Sequence, residues 1–120
     1  MQEVYYKNEE FSLINKELIV TSDDPIIILN KLKIKSNFVK LYYVLCSSKN
    51  ATFQLFYKEN DKHSYTESDS YKVAIKKGLN RISLSFPAKY VDNELRIDLV
   101  DKTGKYTIEE FSIYEMRNPS

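Results

Sequence analysis

Apolar and polar residues alternate along much of this chain with a period of two. Leu95-Arg96-Ile97-Asp98-Leu99 is the clearest case. An extended backbone puts Leu95, Ile97 and Leu99 on one face and Arg96 with Asp98 on the other. The pattern predicts strands over Phe11 to Ile14, Glu17 to Thr21, Ile26 to Leu29, Lys31 to Lys35, Phe38 to Cys46, Thr52 to Lys58, Tyr71 to Lys76, Arg81 to Phe86, Glu94 to Val100 and Tyr106 to Tyr114. Short strands at spacings of roughly 8 to 12 residues, parted by polar turns, are the mark of a sandwich or barrel. The fold class read from the pattern is all-β, an antiparallel β-sandwich of about eight to ten short strands.

Parity sorts the side chains. Val39, Leu41, Tyr43 and Leu45, Phe53, Leu55 and Tyr57, Val73 and Ile75, Ile82, Leu84 and Phe86, and Leu95, Ile97 and Leu99 form an inward set large enough for a sandwich core. The opposite parity holds Tyr42, Val44, Gln54, Phe56, Ser83, Ser85, Arg96 and Asp98. In the last strand Ile108 and Phe111 cannot face one side without an extra residue, which predicts a β-bulge at Glu109-Glu110.

Both glycines fall between predicted strands. Lys77-Gly78-Leu79-Asn80 and Lys102-Thr103-Gly104-Lys105 read as tight hairpins, the first between strands around Val73 and Ile82, the second between Leu99 and Ile108. Asp24-Pro25-Ile26 resembles a helix start, but three successive Ile residues and the alternation after them favour extended structure. Glu59 to Ser70, the longest polar stretch, reads as a mobile surface loop on the rim.

Composition agrees with one β domain. There are ten Tyr and six Phe against two Gly, types suited to pleated, half-buried surfaces. A chain of 120 residues is long enough for one core. The abrupt start at Gln2-Glu3-Val4 and end at Arg117-Asn118-Pro119-Ser120 read as the limits of a single domain excised from a longer protein. Eighteen basic and 17 acidic residues are interspersed, so no broad field favours nucleic acid as a partner. The apolar run Pro25 to Leu29 is far short of the roughly 20 residues that cross a bilayer, and the first residues do not form a signal peptide.

Candidate chemistry is sparse. His63 stands alone in a polar loop, away from any Cys or His at ligand spacing, so it reads as solvated. The lone Cys46 reads as a buried, inert thiol. Two glycines cannot build a phosphate loop or a dinucleotide fingerprint. Asp23-Asp24, Asp92, Asp98, Asp101 and Glu109-Glu110 have the type for an acid pair, but read as turn caps or partners of Lys. No cofactor is expected. Structural calcium on Asp23, Asp24, Asp98 or Asp101 is a weaker alternative, and Asn50-Ala51-Thr52 matches a glycosylation triplet.

The remaining constellation is Tyr42, Gln54, Phe56, Arg96 and Asp98. Aromatic faces pack on sugar C–H patches while amides, Arg and Asp hydrogen-bond hydroxyls, so these are ligand-binding types. They also suit an internal Arg96–Asp98 ion pair beneath a covering segment. Both readings stand on the sequence.

The succession Thr52-Phe53-Gln54-Leu55-Phe56-Tyr57, Lys77-Gly78-Leu79-Asn80-Arg81-Ile82-Ser83-Leu84-Ser85-Phe86-Pro87, Leu95-Arg96-Ile97-Asp98 and Gly104-Lys105-Tyr106-Thr107-Ile108 resembles carbohydrate-binding-module-like (galactose-binding-like) jelly-roll domains. Such domains are accessory modules of bacterial enzymes of surface polysaccharides, including glycosyltransferases. The resemblance covers about residues 50 to 115, with an echo at Asp24-Pro25-Ile26. It implies a jelly-roll β-sandwich, no catalysis, and carbohydrate or a domain of the same parent protein as partner. It also implies a place at the bacterial cell envelope or its cytoplasmic face. The chain departs from sugar binders in having no Trp. The alternative is a structural or protein-interaction domain that positions or oligomerises its parent.

Overall fold

The structure, a computed structural model, describes residues 4–21, 25–30, 34, 36–58 and 64–117. Eight strands and one short helix follow in the order β1 (Val4–Val20), β2 (Ile26–Asn30), β3 (Phe38–Ser47), β4 (Ala51–Tyr57), β5 (Ser70–Ile75), β6 (Gly78–Pro87), α1 (Lys89–Asn93), β7 (Glu94–Asp98) and β8 (Gly104–Arg117). They form two four-stranded sheets of order β1-β8-β3-β6 and β2-β7-β4-β5. Every pairing is antiparallel. This strand order is that of an eight-stranded jelly roll, in which neighbours in the chain mostly belong to different sheets.

The inward parity set is the core. Val39, Leu41, Tyr43, Leu45, Phe53, Leu55, Ile75, Ile82, Phe86, Leu95, Ile97 and Leu99 are buried, and Tyr57, Val73 and Leu84 pack against them part-buried. Tyr43 ties the sheets together: its ring lies 5.2 Å from Phe53 across the core and 5.2 Å from Phe111 beside it. Its hydroxyl donates to the Leu99 carbonyl at 3.3 Å, which satisfies a polar atom in an apolar setting. Burial, with Tyr106 adding to it, pushes that phenol far above its ordinary range.

The bulge in the last strand is present. The β3–β8 register shifts between Val44↔Glu110 and Leu45↔Ile108, so Glu109 is the extra residue and Ile108 and Phe111 both turn inward. On the other side of β8, Asn15 of β1 lies between partners of Ile108 and Glu110 and takes a positive φ of 50°. Asn tolerates that left-handed conformation better than most residues. β1 is a single strand where the sequence predicted two, and its register against β8 shifts between Lys7 and Ser12.

The two glycine turns are not hairpins. Val73 belongs to β5 of one sheet and Ile82 to β6 of the other, and β7, which ends at Asp98 just before Leu99, is likewise in a different sheet from Ile108 of β8. Gly78 at φ 105° and Gly104 at φ 149° instead let the chain leave one sheet and enter the other. Asn80 secures the first corner: its side chain accepts from the Lys76 amide at 2.8 Å and donates to the carbonyls of Lys76 and Gly78 at 2.7 and 3.0 Å. Parity specifies which face a residue takes, not which strand it pairs with.

Two further expectations change. Helix α1 follows Pro87 and closes one end of the sandwich with Ala88, Tyr90 and Val91 buried, and Tyr90 stacks on Tyr57 at 4.1 Å. Cys46 is half-buried on the outer side of β3 instead of buried. Of Lys31 to Lys35 only Ile34 is described, and it packs against the core. His63 lies outside the described residues, as do Asp23 and Asp24.

Candidate functional site

The β2 sheet brings together four of the five candidate residues. β4 and β7 are neighbours with register Gln54↔Asp98 and Phe56↔Arg96, so these side chains form two adjacent rows on the outer face. Tyr42 is not among them. It lies on β3 of the other sheet, opposite Ser83 and Ser112, and projects from the far side of the sandwich. Outward parity is common to both sheets, and the two outer faces point away from each other.

On this face the polar groups bind one another. Arg96 Nε and Nη2 donate to Asp98 Oδ1 and Oδ2 at 3.0 and 3.2 Å, a two-pronged ion pair between neighbours on the outer face of β7. The guanidinium also lies 5.1 Å from the Phe56 ring centroid. Gln54 Nε2 donates to Glu67 Oε2 at 2.9 Å and to Ser70 Oγ at 3.0 Å. Lys72, opposite Gln54 in register, sits 3.1 Å from the same Glu67 carboxylate. The Gln54 hydrogen bond foremost, then Lys72, holds that carboxyl below its usual range.

Phe56 is outward by parity yet only 7% exposed. Residues 64–69 explain why. Tyr65 meets the Phe56 ring edge to face with centroids 6.1 Å apart, and its hydroxyl donates to the Glu94 carboxylate. Lys58 Nζ is 3.2 Å from Glu94 and 4.5 Å from the centre of the Tyr65 ring. Burial first, then the Glu94 bond, pushes the Tyr65 phenol well above its ordinary range. The described part of the stretch read as a rim loop is therefore a strap docked across the sheet, hydrogen-bonded by Tyr57 N–H to the Asp69 carbonyl at 3.1 Å. Tyr65, the one aromatic residue in that polar stretch, was the available signal.

Beyond Arg96 and Asp98 the face continues onto β2, where register puts Ile28 beside Arg96 and Ile26 beside Asp98. Both are outward, at 48% and 47% exposure, while Ile27 and Leu29 turn to the core. The run of isoleucines is the strand its sequence predicts, and its outward half is the apolar margin of the face.

Three of the acidic candidates have structural partners. Asp101 Oδ1 accepts from the Thr52 amide at 2.7 Å, Glu110 accepts from the Tyr114 hydroxyl at 2.6 Å, and Asp98 is engaged by Arg96. Asn50 of the glycosylation triplet accepts from the Lys77 amide at 3.0 Å. Among the described residues no three His, Cys, Asp or Glu side chains gather in a way that could hold a metal ion. Nor, among them, is any helix long and apolar enough to cross a membrane.

No protein-family model matches the chain, and no curated protein matches it in sequence. Solved structures do. The coat protein of Tobacco streak virus, in a C2 crystal form at 2.1 Å resolution, superposes with a TM-score of 0.51 at 11% identity over 98% of this chain and 88% of that one. A structure of that coat protein as a dimer, at 2.4 Å resolution, superposes with a TM-score of 0.50 at the same identity and coverage. At such identity the likeness establishes a shared fold, the jelly-roll sandwich, and nothing further.

Proposed function

We propose that this chain is a non-catalytic jelly-roll module that works by protein–protein contact, positioning or assembling the protein it belongs to. One observation carries the reading. On the outer face of the β2 sheet, the side chains suited to a sugar are already bound to each other, while the large apolar side chains Ile26 and Ile28 are left to solvent. A sugar platform needs an open aromatic face. Phe56 would provide one only if the Tyr65 strap lifted and Arg96 swung aside. The engaged Asp98, Asp101 and Glu110 support the non-catalytic part of the reading. The fold also accommodates association, since the Tobacco streak virus coat protein that shares it was solved as a dimer.

Calorimetric titration and a glycan array test this against the carbohydrate alternative. The expected result is no saturable binding to any surface glycan. Saturable binding that disappears with Arg96→Ala, in a variant that melts as the parent does, would refute the protein-contact reading.

A further inference from the structure

We infer that strand β2 is a self-pairing edge: two copies of this chain join their β2 strands antiparallel about a twofold axis, making one continuous eight-stranded sheet. The inference rests on the protein-contact reading and names its surface. β2 is an edge strand of its sheet. Edges expose backbone N–H and C=O groups, and folded proteins commonly guard them with charged residues that oppose further pairing. The other three edges conform. β1 contains Lys7, Glu9, Glu10, Lys16 and Glu17, β5 contains Lys72, and β6 contains Arg81. β2, Ile-Ile-Ile-Leu-Asn, has no charge.

The pattern on β2 also matches its own twofold image. Pairing centred on Ile27 sets Ile26 against Ile28 of the second copy and Ile28 against its Ile26, with every outward side chain still outward because the register keeps parity. Four half-exposed isoleucine side chains would then cover one another. Because Asp98 adjoins Ile26 and Arg96 adjoins Ile28, each joined row reads Asp, Ile, Ile, Arg across the two copies. The ends of every row are opposite in sign. Pairing β2 in parallel would place Asp98 and Arg96 at like-signed ends and would not bring the strands together about such an axis. A second copy thus fits the edge in its apolar pattern and its twofold register.

The strand is five residues long, so the contact is small and its affinity falls at the weak end of protein association. Sedimentation equilibrium of the full chain from about 10 µM to 1 mM spans that range. The expected result is a monomer–dimer equilibrium whose dissociation constant rises at least about tenfold with Ile28→Lys, and likewise with Ile26→Lys, since each puts two like charges into the seam. Both sites are half-exposed, so the monomers should melt as the parent does. Leu79→Lys, at a 51% exposed position on β6, should leave the equilibrium unchanged. A dimer indifferent to both β2 changes would overturn this edge while leaving the protein-contact reading intact. A chain monomeric at the highest concentration would overturn self-pairing, and the glycan titration alone would then decide the broader reading.

Discussion

Replacing Tyr65 with Ala tests whether the outer face of the β2 sheet is closed. The structure assigns three interactions to this side chain: the edge-to-face contact with Phe56 at 6.1 Å, the hydroxyl bond to Glu94, and the Lys58 ammonium 4.5 Å from its ring. An aromatic pair contributes about 1 kcal/mol. A hydroxyl to a carboxylate contributes about 1 kcal/mol net when, as here, the carboxylate is part-exposed and screened. The cation contributes about 0.5 kcal/mol at such a site. Releasing residues 64–69 restores some chain entropy, so Tyr65→Ala should cost about 2 kcal/mol, and Tyr65→Phe, which loses only the hydroxyl, about 1 kcal/mol. The chain has no Trp, so urea unfolding is best followed by far-UV circular dichroism together with tyrosine fluorescence. The midpoint should fall with an unchanged slope. A Tyr65→Ala cost below about 0.3 kcal/mol would refute the docked strap and make Phe56 an open aromatic surface in solution.

Asn80→Ala removes three hydrogen bonds at the corner between the sheets and should lower stability by about 1.5 kcal/mol, measured by the same unfolding assay. Phe111→Ala empties a fully buried site beside Tyr43 and should cost about 3 to 5 kcal/mol; a loss under 1 kcal/mol would contradict the packing of β8. Alkaline pH should destabilise the fold. The phenols of Tyr43, Tyr65 and Tyr71 are all raised, chiefly by burial, so above about pH 10 the unfolded chain releases protons that the folded one retains. Their contribution is complete below that pH and declines as pH rises toward the folded values, and a urea midpoint flat between about pH 9 and 11 would count against it.

Alternation located most of the strands, most of the inward set and the β8 bulge, because a side-chain period of two is a local property of extended backbone; it divided β1 in two and left Val44 and Phe56, both buried, on the outward parity. The sequence likewise placed Gln54, Phe56, Arg96 and Asp98 on one parity, and the structure joins them because β4 pairs with β7. It could not exclude Tyr42, which shares that parity on the opposite sheet. Nor could it tell a hairpin from a corner at Gly78 and Gly104, where the same permissive backbone serves either connection. The edge position of β2, the exposure of Ile26 and Ile28, and the strap that shuts Phe56 beneath Tyr65 belong to the tertiary structure alone. Each depends on which distant segments become neighbours, and in a jelly roll those pairings are long-range.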